Sequence, residues 1–388
     1  MEDFLVRSFE KKFGSSPEVY SLAPGRINLI GEHTDYNLGY VLPSAINLHV
    51  AFLGSRRKDG KVRVWADNFK QESQFSLDRG VDSKQGGWID YVQGIYRVLL
   101  QKGHALQGID AYVWGNIPLE SGLSSSAAFE VSILNALNSL FGLDLSPLEM
   151  AKLGQKAEND FIGVKCGLMD QFVSVFGKKR HAIFLDCETL DFAYIPINLE
   201  GAGLEILVCD TGVRRDLASS HYNIRRDQAF GALEKLKAPG VRTYKDITLS
   251  MLDEKREDLG EIFYQRARHV VTENERVELA VSALRRNDFI ELGRLLFLSH
   301  ESLRDDYEVS CPELELLYDC GKRSRSCLGA RLTGAGFGGS GIALIRKESI
   351  PSFQKLVSGE ARKRGFISPT FYEVEIGEGM CVRSMPPD

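Results

Sequence analysis

Pro118-Leu-Glu-Ser-Gly122-Leu-Ser-Ser-Ser-Ala-Ala128 is the stretch on which the reading of this chain turns. Pro118 and Gly122 make a turn, and three serines follow. Behind them come Ala127, Ala128, Phe129, Val131, Ile133, Leu134, Ala136, Leu137, Leu140 and Phe141, a spacing that predicts a buried helix. Gly142 stands where a helix stop is expected. The serines therefore occupy the first turn of a helix. Backbone N–H groups there lack a partner within the helix, and the positive end of the dipole favours anions. Three hydroxyls add donors, and one can also ligate Mg²⁺. A capped core helix would show the same apolar face, but the Gly-Leu-Ser-Ser-Ser-Ala context favours phosphate binding.

The 388 residues are 43% hydrophobic and 26% charged, an ordinary soluble composition with room for two or three cores. A net charge of −5 offers no basic surface for nucleic acid or an anionic membrane. No apolar run approaches the roughly 20 residues needed to cross a bilayer. In the N-terminal segment Phe4, Leu5, Phe9 and Phe13 recur at helical spacing, so it reads as an amphipathic helix and not a signal peptide. The seven cysteines are scattered and contain no Cys-x-x-Cys, which fits a reduced cytoplasmic compartment. The histidines form no pair at zinc-ligand spacing.

Strand-like runs occur at Ile46–Leu53, Val62–Ala66, Ile109–Trp114, Ala182–Leu185 and Leu204–Asp210. Helical patterns cover Gly87–Gln101, Ser124–Leu140, Pro147–Asn159, Leu217–Leu236, Glu261–Arg286 and Asp288–Arg304. The two kinds intermix without the regular alternation of a doubly wound sheet, so an α+β chain of two lobes is expected. The junction is placed near residues 190–205, where Pro196 and a Gly-rich stretch precede the strand at Leu204. Gly334-Ala-Gly-Phe-Gly-Gly339 spells a dinucleotide fingerprint, but Ser340–Ile345 behind it reads as a strand where that motif requires a helix. A strand-to-strand loop in which backbone approaches a ligand is the better reading.

Three further places carry chemistry. Within residues 23–43, Arg26, Asn28, Glu32, His33 and Asp35 crowd beside apolar Ile27, Leu29 and Ile30. Glu, His and Asp could hold sugar hydroxyls and Arg26 could face a phosphoryl group, or the cluster could be a polar turn that satisfies itself. Asp170, in Cys166-Gly-Leu-Met-Asp-Gln-Phe172, reads by itself as a cap or turn residue. Glu158, at the end of a predicted helix, reads as a solvated carboxylate.

Taken together, these stretches resemble the motifs of the GHMP kinases, and within them those of the galactokinase family. Gly25-Arg-Ile-Asn-Leu-Ile-Gly-Glu-His-Thr-Asp-Tyr36 is similar to that family's signature almost residue for residue. Cys166–Gln171, Ser219–Gln228, Arg266–Asn274, Ser302–Tyr307 and Leu332–Gly339 extend the resemblance over most of the chain. It implies a two-domain GHMP kinase fold. Residues 1–200 would form an N-terminal domain like ribosomal protein S5 domain 2, carrying the sugar and ATP sites. Residues 201–388 would form a ferredoxin-like C-terminal domain. It implies ATP-dependent phosphorylation of the anomeric hydroxyl of galactose by a cytoplasmic monomer, with no nucleic-acid or membrane partner.

By matched position, Arg26, Glu32, His33, Asp35, Gly167, Asp170 and Tyr222 would line the sugar site. Asp170 would take the hydroxyl proton, with Arg26 balancing its charge and that of the moving phosphoryl. Ser126 and Glu158 would hold Mg²⁺. Pro118, Gly122, Leu123, Ser124, Ser125, Ser126 and Ala127 would wrap the phosphates. Trp88 and Tyr91 would flank adenine, although both could simply pack a helix onto a sheet. Four residues depart from the family pattern. Glu120 and Leu38 stand where Gly is usual, Asn47 for a frequent Asp, and Ser340 for a frequent Cys. Leu38 is expected to be the change most able to alter the sugar pocket. A kinase acting on N-acetylgalactosamine or L-arabinose, and a non-catalytic sugar sensor, are the rival readings.

Overall fold

Val19–Asn28 is the strand from which the first sheet is built. That sheet has six strands in the order Cys381–Ser384, Val19–Asn28, Pro43–Arg57, Gly108–Gly115, Lys61–Ala66 and Gln71–Ser76. One pair, Lys61–Ala66 with Gly108–Gly115, is parallel, and the rest are antiparallel. The protein is described here from a computed structural model covering residues 1–214 and 218–385, the side chains of 218–220 excepted.

The central strands are apolar on both faces because both faces are covered. Ala51 and Leu53 pack with Tyr20 and Tyr112 against Leu5 and Phe9 of the N-terminal helix Glu2–Phe13. Val50 and Phe52 point the other way, into a core shared with the helices Ile89–Gln101, Ser125–Phe141 and Pro147–Ala157. Helix Ser125–Phe141 buries Val131, Ile133, Leu134 and Leu137 completely. Each such side chain contributes about 1.5–3 kcal/mol. Its end is capped by Gly142 in the left-handed conformation, as the spacing predicts.

A second, antiparallel sheet runs Cys327–Thr333, Ser340–Arg346, Leu204–Asp210 and Thr370–Val374. Leu207, Ala330, Ala343 and Ile345 face Leu317 and Phe353 from the helices Pro312–Arg323 and Ile350–Arg364. Ile206, Val208, Ile342 and Leu344 face back into the main core. Helices Ala218–Leu236 and Glu261–Arg285 pack together around Val270, Tyr264 and Ala229. Three short strands, Tyr40–Val41, His181–Asp186 and Phe192–Pro196, make a third sheet. Among the described residues no helix is long and apolar enough to cross a membrane.

The mixed α+β architecture agrees with the periodicity, and each of the five strand-like runs lies within an observed strand. Residues 334–339 join two antiparallel strands, so the dinucleotide fingerprint is a literal match only. The predicted helix start at Leu217 lies outside the described residues. Among the elements that escaped the pattern are the strand Val19–Asn28 and the helices Met169–Phe176, Pro312–Arg323 and Ile350–Arg364. The first is the instructive one. It contains Pro24, Gly25, Arg26 and Asn28, which local propensity disfavours in a strand, and long-range partners hold it in place.

Candidate active site

Arg26 enters the site through a break in strand register. Pairing with Pro43–Arg57 shifts between Pro24 and Arg26, and such a bulge re-aims the side chain that follows it. The guanidinium then works with three of its donors. Nε reaches Asp170 Oδ1 at 2.7 Å, Nη2 reaches Oδ2 at 2.8 Å, and Nη1 reaches the Gly122 carbonyl at 2.5 Å. Arg26 N–H also donates to the Leu123 carbonyl at 3.1 Å. Neighbouring Gly25 permits this contact, since a Cβ there would stand 2.7 Å from that same oxygen. Asp170 lies in the first turn of helix Met169–Phe176, and the Ser124 hydroxyl donates to its Oδ2. The Arg26 side chain is 5% exposed and that of Asp170 26%, so the carboxylate stays open to the cavity while the cation is sealed behind it.

That cavity is lined by all seven residues expected at a sugar site: Arg26, Glu32, His33, Asp35, Gly167, Asp170 and Tyr222. Glu158, Val164, Cys166, Met169, Gly334 and Ala335 complete it. Gly167 is required by proximity, because a Cβ on it would fall 1.9 Å from Asp35 Oδ2. Burial raises Asp35 to about 6, with the charge of Asp170 adding and the Tyr36 N–H and Arg26 opposing. Burial likewise raises Glu32 to about 7, with Arg331 opposing and Glu273 adding. His33 Nδ1 is 2.7 Å from the Tyr36 hydroxyl, which lies 3.0 Å from that of Tyr307. Tyr222 closes this aromatic corner, its ring 5.6 Å from His33.

A second cavity lies beside the first. Trp88, Tyr91, Leu119, Ser125 and Ser126 line it, joined by Val50, Asn68, Phe69, Ile117 and Phe129, which sequence reasoning missed. Of the remaining loop residues, Leu123 and Ala127 are buried in the protein. Gly122 offers its carbonyl to Arg26, Pro118 accepts from the Ser121 hydroxyl, and Ser124 holds Asp170.

The two cavities meet at one contact. Ser126 lines one, Glu158 lines the other, and the Ser126 hydroxyl hydrogen-bonds the Glu158 carboxylate. Glu158 opens a π-helical turn, Glu158–Ile162, a device often found where a side chain must be re-aimed. Gln171 Nε2 donates to Glu158 Oε2 at 2.8 Å and to Glu130 Oε2 at 2.9 Å, and Cys166 Sγ lies 3.2 Å from Glu158 Oε2. Burial lifts both glutamates above their ordinary range. Asp170 adds to the effect on Glu158, whereas the Cys166 bond opposes it. Uncompensated negative charge beside a hydroxyl suits a small hard cation. Among the described residues no group of three or more His, Cys, Asp or Glu is arranged to hold a metal. An ion here would have to complete its shell with oxygens from a nucleotide and water, which is how Mg²⁺ is commonly held.

The family comparisons address the same residues. A galactokinase galactose-binding signature matches residues 7–56. The GHMP kinases N terminal domain matches residues 90–178 and the GHMP kinases C terminal domain residues 280–355. A galactokinase of Thermotoga neapolitana is 43% identical over 358 residues, covering 92% of this chain and 98% of its own. One from Staphylococcus carnosus is 41% identical over 377 residues, covering 96% and 97%. The chain belongs to the galactokinase family of GHMP kinases. The crystal structure of Lactococcus lactis galactokinase complexed with galactose superposes with a TM-score of 0.93 at 38% identity, covering 98% of this chain and 99% of that one. Methanococcus jannaschii mevalonate kinase, at 19% identity and a TM-score of 0.66, shares the fold. The two-domain GHMP kinase architecture is thereby established for this galactokinase-family chain.

The four departures from the family pattern can now be placed. Leu38 does not reshape the sugar cavity. Its side chain is 43% exposed and lines neither cavity, contrary to expectation. It caps the short 3₁₀ turn Asp35–Asn37 in the left-handed region, at φ 59°. Glu120, at φ 56°, is also left-handed and exposed. These are backbone positions that suit glycine, which accounts for the family's usual Gly, and nothing in the structure explains the side chain present at either. Asn47 pairs its amide oxygen with the N–H of Glu375, away from the site. Ser340 is buried at the start of its strand, opposite Asp210.

Replacing Leu38 by Gly should therefore stabilise the protein. A left-handed non-glycine residue costs about 1–2 kcal/mol. The added freedom of glycine in the unfolded chain returns about 0.4–1 kcal/mol of that. A net gain near 0.5 kcal/mol should appear as a higher urea midpoint with unchanged slope. A lower midpoint would mean that contacts of the leucine side chain outweigh backbone strain.

Proposed function

We propose that the protein transfers the γ-phosphoryl group of ATP to the anomeric hydroxyl of galactose, giving galactose 1-phosphate and ADP. The observation that carries this reading is the partition at Ser126 and Glu158. Glu158 belongs to the cavity lined by Glu32, Asp35 and Asp170, Ser126 to the cavity flanked by Trp88 and Tyr91, and these two side chains are hydrogen-bonded to each other. Family membership, the galactose-binding signature and the likeness to a galactose-bound relative support the same reading. Residues 1–200 and 201–388 are assigned as the two lobes, the last strand crossing back to the first sheet. The seven unpaired cysteines support a cytoplasmic location.

In this assignment Asp170 receives the hydroxyl proton. The anomeric oxygen forms its bond to the γ-phosphorus, the bond from that phosphorus to the bridging oxygen breaks, and ADP leaves with the electron pair. Arg26 holds the Asp170 carboxylate through both oxygens, so its angle to the hydroxyl is set before substrate arrives. Transfers of this kind depend more on positioning and charge neutralisation than on covalent help. Ser126 and Glu158 would hold Mg²⁺, which supplies charge neutralisation to the phosphates when bound. Trp88 and Tyr91 would flank the base. Glu32, His33, Asp35 and Tyr222 would fix the sugar.

A coupled ADP-release assay across galactose, glucose, galactosamine, N-acetylgalactosamine and arabinose tests the reading. Galactose and glucose differ only in the orientation of one hydroxyl, and a site of buried acceptors discriminates strongly against a misplaced partner. Glucose should be used at least about 100-fold less efficiently in kcat/KM. Equal use of both sugars would remove the galactose assignment and leave the kinase assignment standing.

Asp170→Asn preserves shape and removes the proton acceptor. Its kcat should fall by at least about 100-fold, and the protein should still fold, with a lowered thermal midpoint because buried Arg26 loses its charge partner. Turnover within tenfold of the parent would sink the general-base role.

Ser126→Ala and Glu158→Ala should raise the KM for MgATP far more than they weaken galactose binding measured calorimetrically without nucleotide. A larger loss on the sugar side would refute the metal assignment.

A further inference from the structure

Glu32 is gripped from behind by a residue that the reaction scheme leaves unused. Its side chain is 1% exposed, and its Oε2 accepts from Asn28 Nδ2 at 2.9 Å and lies in ion-pair contact with Arg331 Nη2. Its Oε1 accepts from the Gly334 N–H at 3.1 Å. Arg331 is itself fully buried, and its Nη1 donates to the Leu29 carbonyl at 2.8 Å. A second buried carboxylate, Glu273, stands 3.9 Å from Arg331 Nη2. Glu273 has a closer cation in Arg276, at 2.7 Å, and also accepts from Ser299 and the Gly31 N–H. Among the described residues Arg331 is the cation that pairs with Glu32.

A buried ion pair is poor evidence of a stabilising role, because well-packed apolar residues often serve as well or better. What such a pair does provide is a charge held at a fixed point. Arg331 sits two residues from the end of strand Cys327–Thr333, and Gly334 follows that strand directly. One edge of the second sheet therefore presents both the cation and the N–H that clamp Glu32. Arg26, His33 and Asp35 line the same cavity as this carboxylate.

We propose that Arg331 is a positioning residue of the sugar site, anchoring and charge-balancing the Glu32 carboxylate so that its remaining lone pairs face the sugar as acceptors. The inference rests on the reading of Glu32 as a sugar contact. Arg331 touches no substrate and acts through Glu32. Burial and the nearby Glu273 both disfavour the ionised form of Glu32, and Arg331 opposes them. Without it the carboxyl would hold its proton over a wider pH range and lose acceptor capacity on that oxygen.

The experiment is a double-mutant cycle of Glu32→Gln and Arg331→Met, with Arg331→Lys alongside. Galactose affinity is read by calorimetry, and kcat and both KM values by ADP release. Arg331→Met should weaken galactose binding by about tenfold or more, within the range seen for directly coupled pairs. The KM for MgATP should stay within about threefold, since the Ser126–Glu158 contact is untouched. In the Glu32→Gln background the same replacement should cost little more, because the charge it served is gone. Arg331→Lys keeps the charge but loses the planar fork, and should fall between the two. Wild-type galactose affinity in a folded Arg331→Met protein, or an equal loss in both backgrounds, would overturn the proposal. Should Arg331→Met not fold, unchanged affinity in Arg331→Lys would overturn it. Unchanged affinity in Glu32→Gln alone would remove the sugar-contact reading of Glu32, and this inference with it. A loss in Glu32→Gln without one in either Arg331 variant would remove only the inference.

Discussion

The fork of Arg26 is the constraint around which the site is assembled. One guanidinium ties together three segments that lie far apart in sequence: the first strand, the loop at Gly122, and the helix that starts at Met169. A planar cation with donors in fixed directions can do this. A lysine ammonium would meet the carboxylate as a point charge and leave the Gly122 carbonyl without its donor. The geometry also runs in reverse. Because Asp170 is held at both oxygens, and by Ser124 besides, the carboxylate cannot rotate out of the cavity. The serine-rich loop is thus anchored at Gly122, Leu123 and Ser124.

The junction between the lobes is polar as well as apolar. Asn28 N–H donates to Thr333 Oγ1, Thr333 Oγ1 donates back to the Asn28 carbonyl, and His269 Nε2 lies 3.0 Å from the Glu32 carbonyl. Burial holds His269 down at about 4, so it serves as a neutral donor–acceptor and not as a charge. Apolar contacts alone would tolerate sliding of one lobe on the other. Directional bonds to named carbonyls do not, since a displacement of a bond length leaves buried groups unsatisfied. The register between the second sheet and the first strand is therefore specified atom by atom, close to the sugar cavity.

Legibility in the sequence followed the range of the contacts. The helix of residues 125–141 was readable because its periodicity and its Gly142 stop are local. Arg26, Glu32, His33 and Asp35 were readable because they crowd into ten residues, and the family resemblance gave them roles. Arg331 was not, and Glu273, Tyr307 and Thr333 lie in motifs of the resemblance that give them no role. Each has a partner hundreds of residues away, and in isolation an arginine in a strand or a glutamate in a helix reads as a solvated charge. A faint signal did exist: Arg331 interrupts Cys-Leu-Gly-Ala-Arg-Leu-Thr, an otherwise apolar run with no room for a solvated guanidinium. The first strand was hidden for the opposite reason. Its polar residues suggested a turn, and only their distant partners make them compatible with a sheet. Leu38 was misjudged because departure from a family pattern was taken as a change in side-chain chemistry, when the position is defined by backbone conformation.

That distinction bears on where the molecule stores strain. His33, Glu120 and Ser124 all have positive φ, at 63°, 56° and 61°. At about 1–2 kcal/mol each, such residues persist only where surrounding structure over-determines them. Ser124 shows what the strain accomplishes. As the residue before helix Ser125–Phe141 it would ordinarily turn its hydroxyl back to cap the first N–H groups. The left-handed conformation instead sends the hydroxyl to Asp170, and no side-chain cap is made. The first N–H groups of the helix are left without that partner, beside Ser125 and Ser126, which line the second cavity. The fully buried side chains of the same helix supply several times the energy needed to hold that conformation. One left-handed residue thus joins the start of a well-packed core helix to the carboxylate of Asp170, at the cost of the helix's ordinary cap.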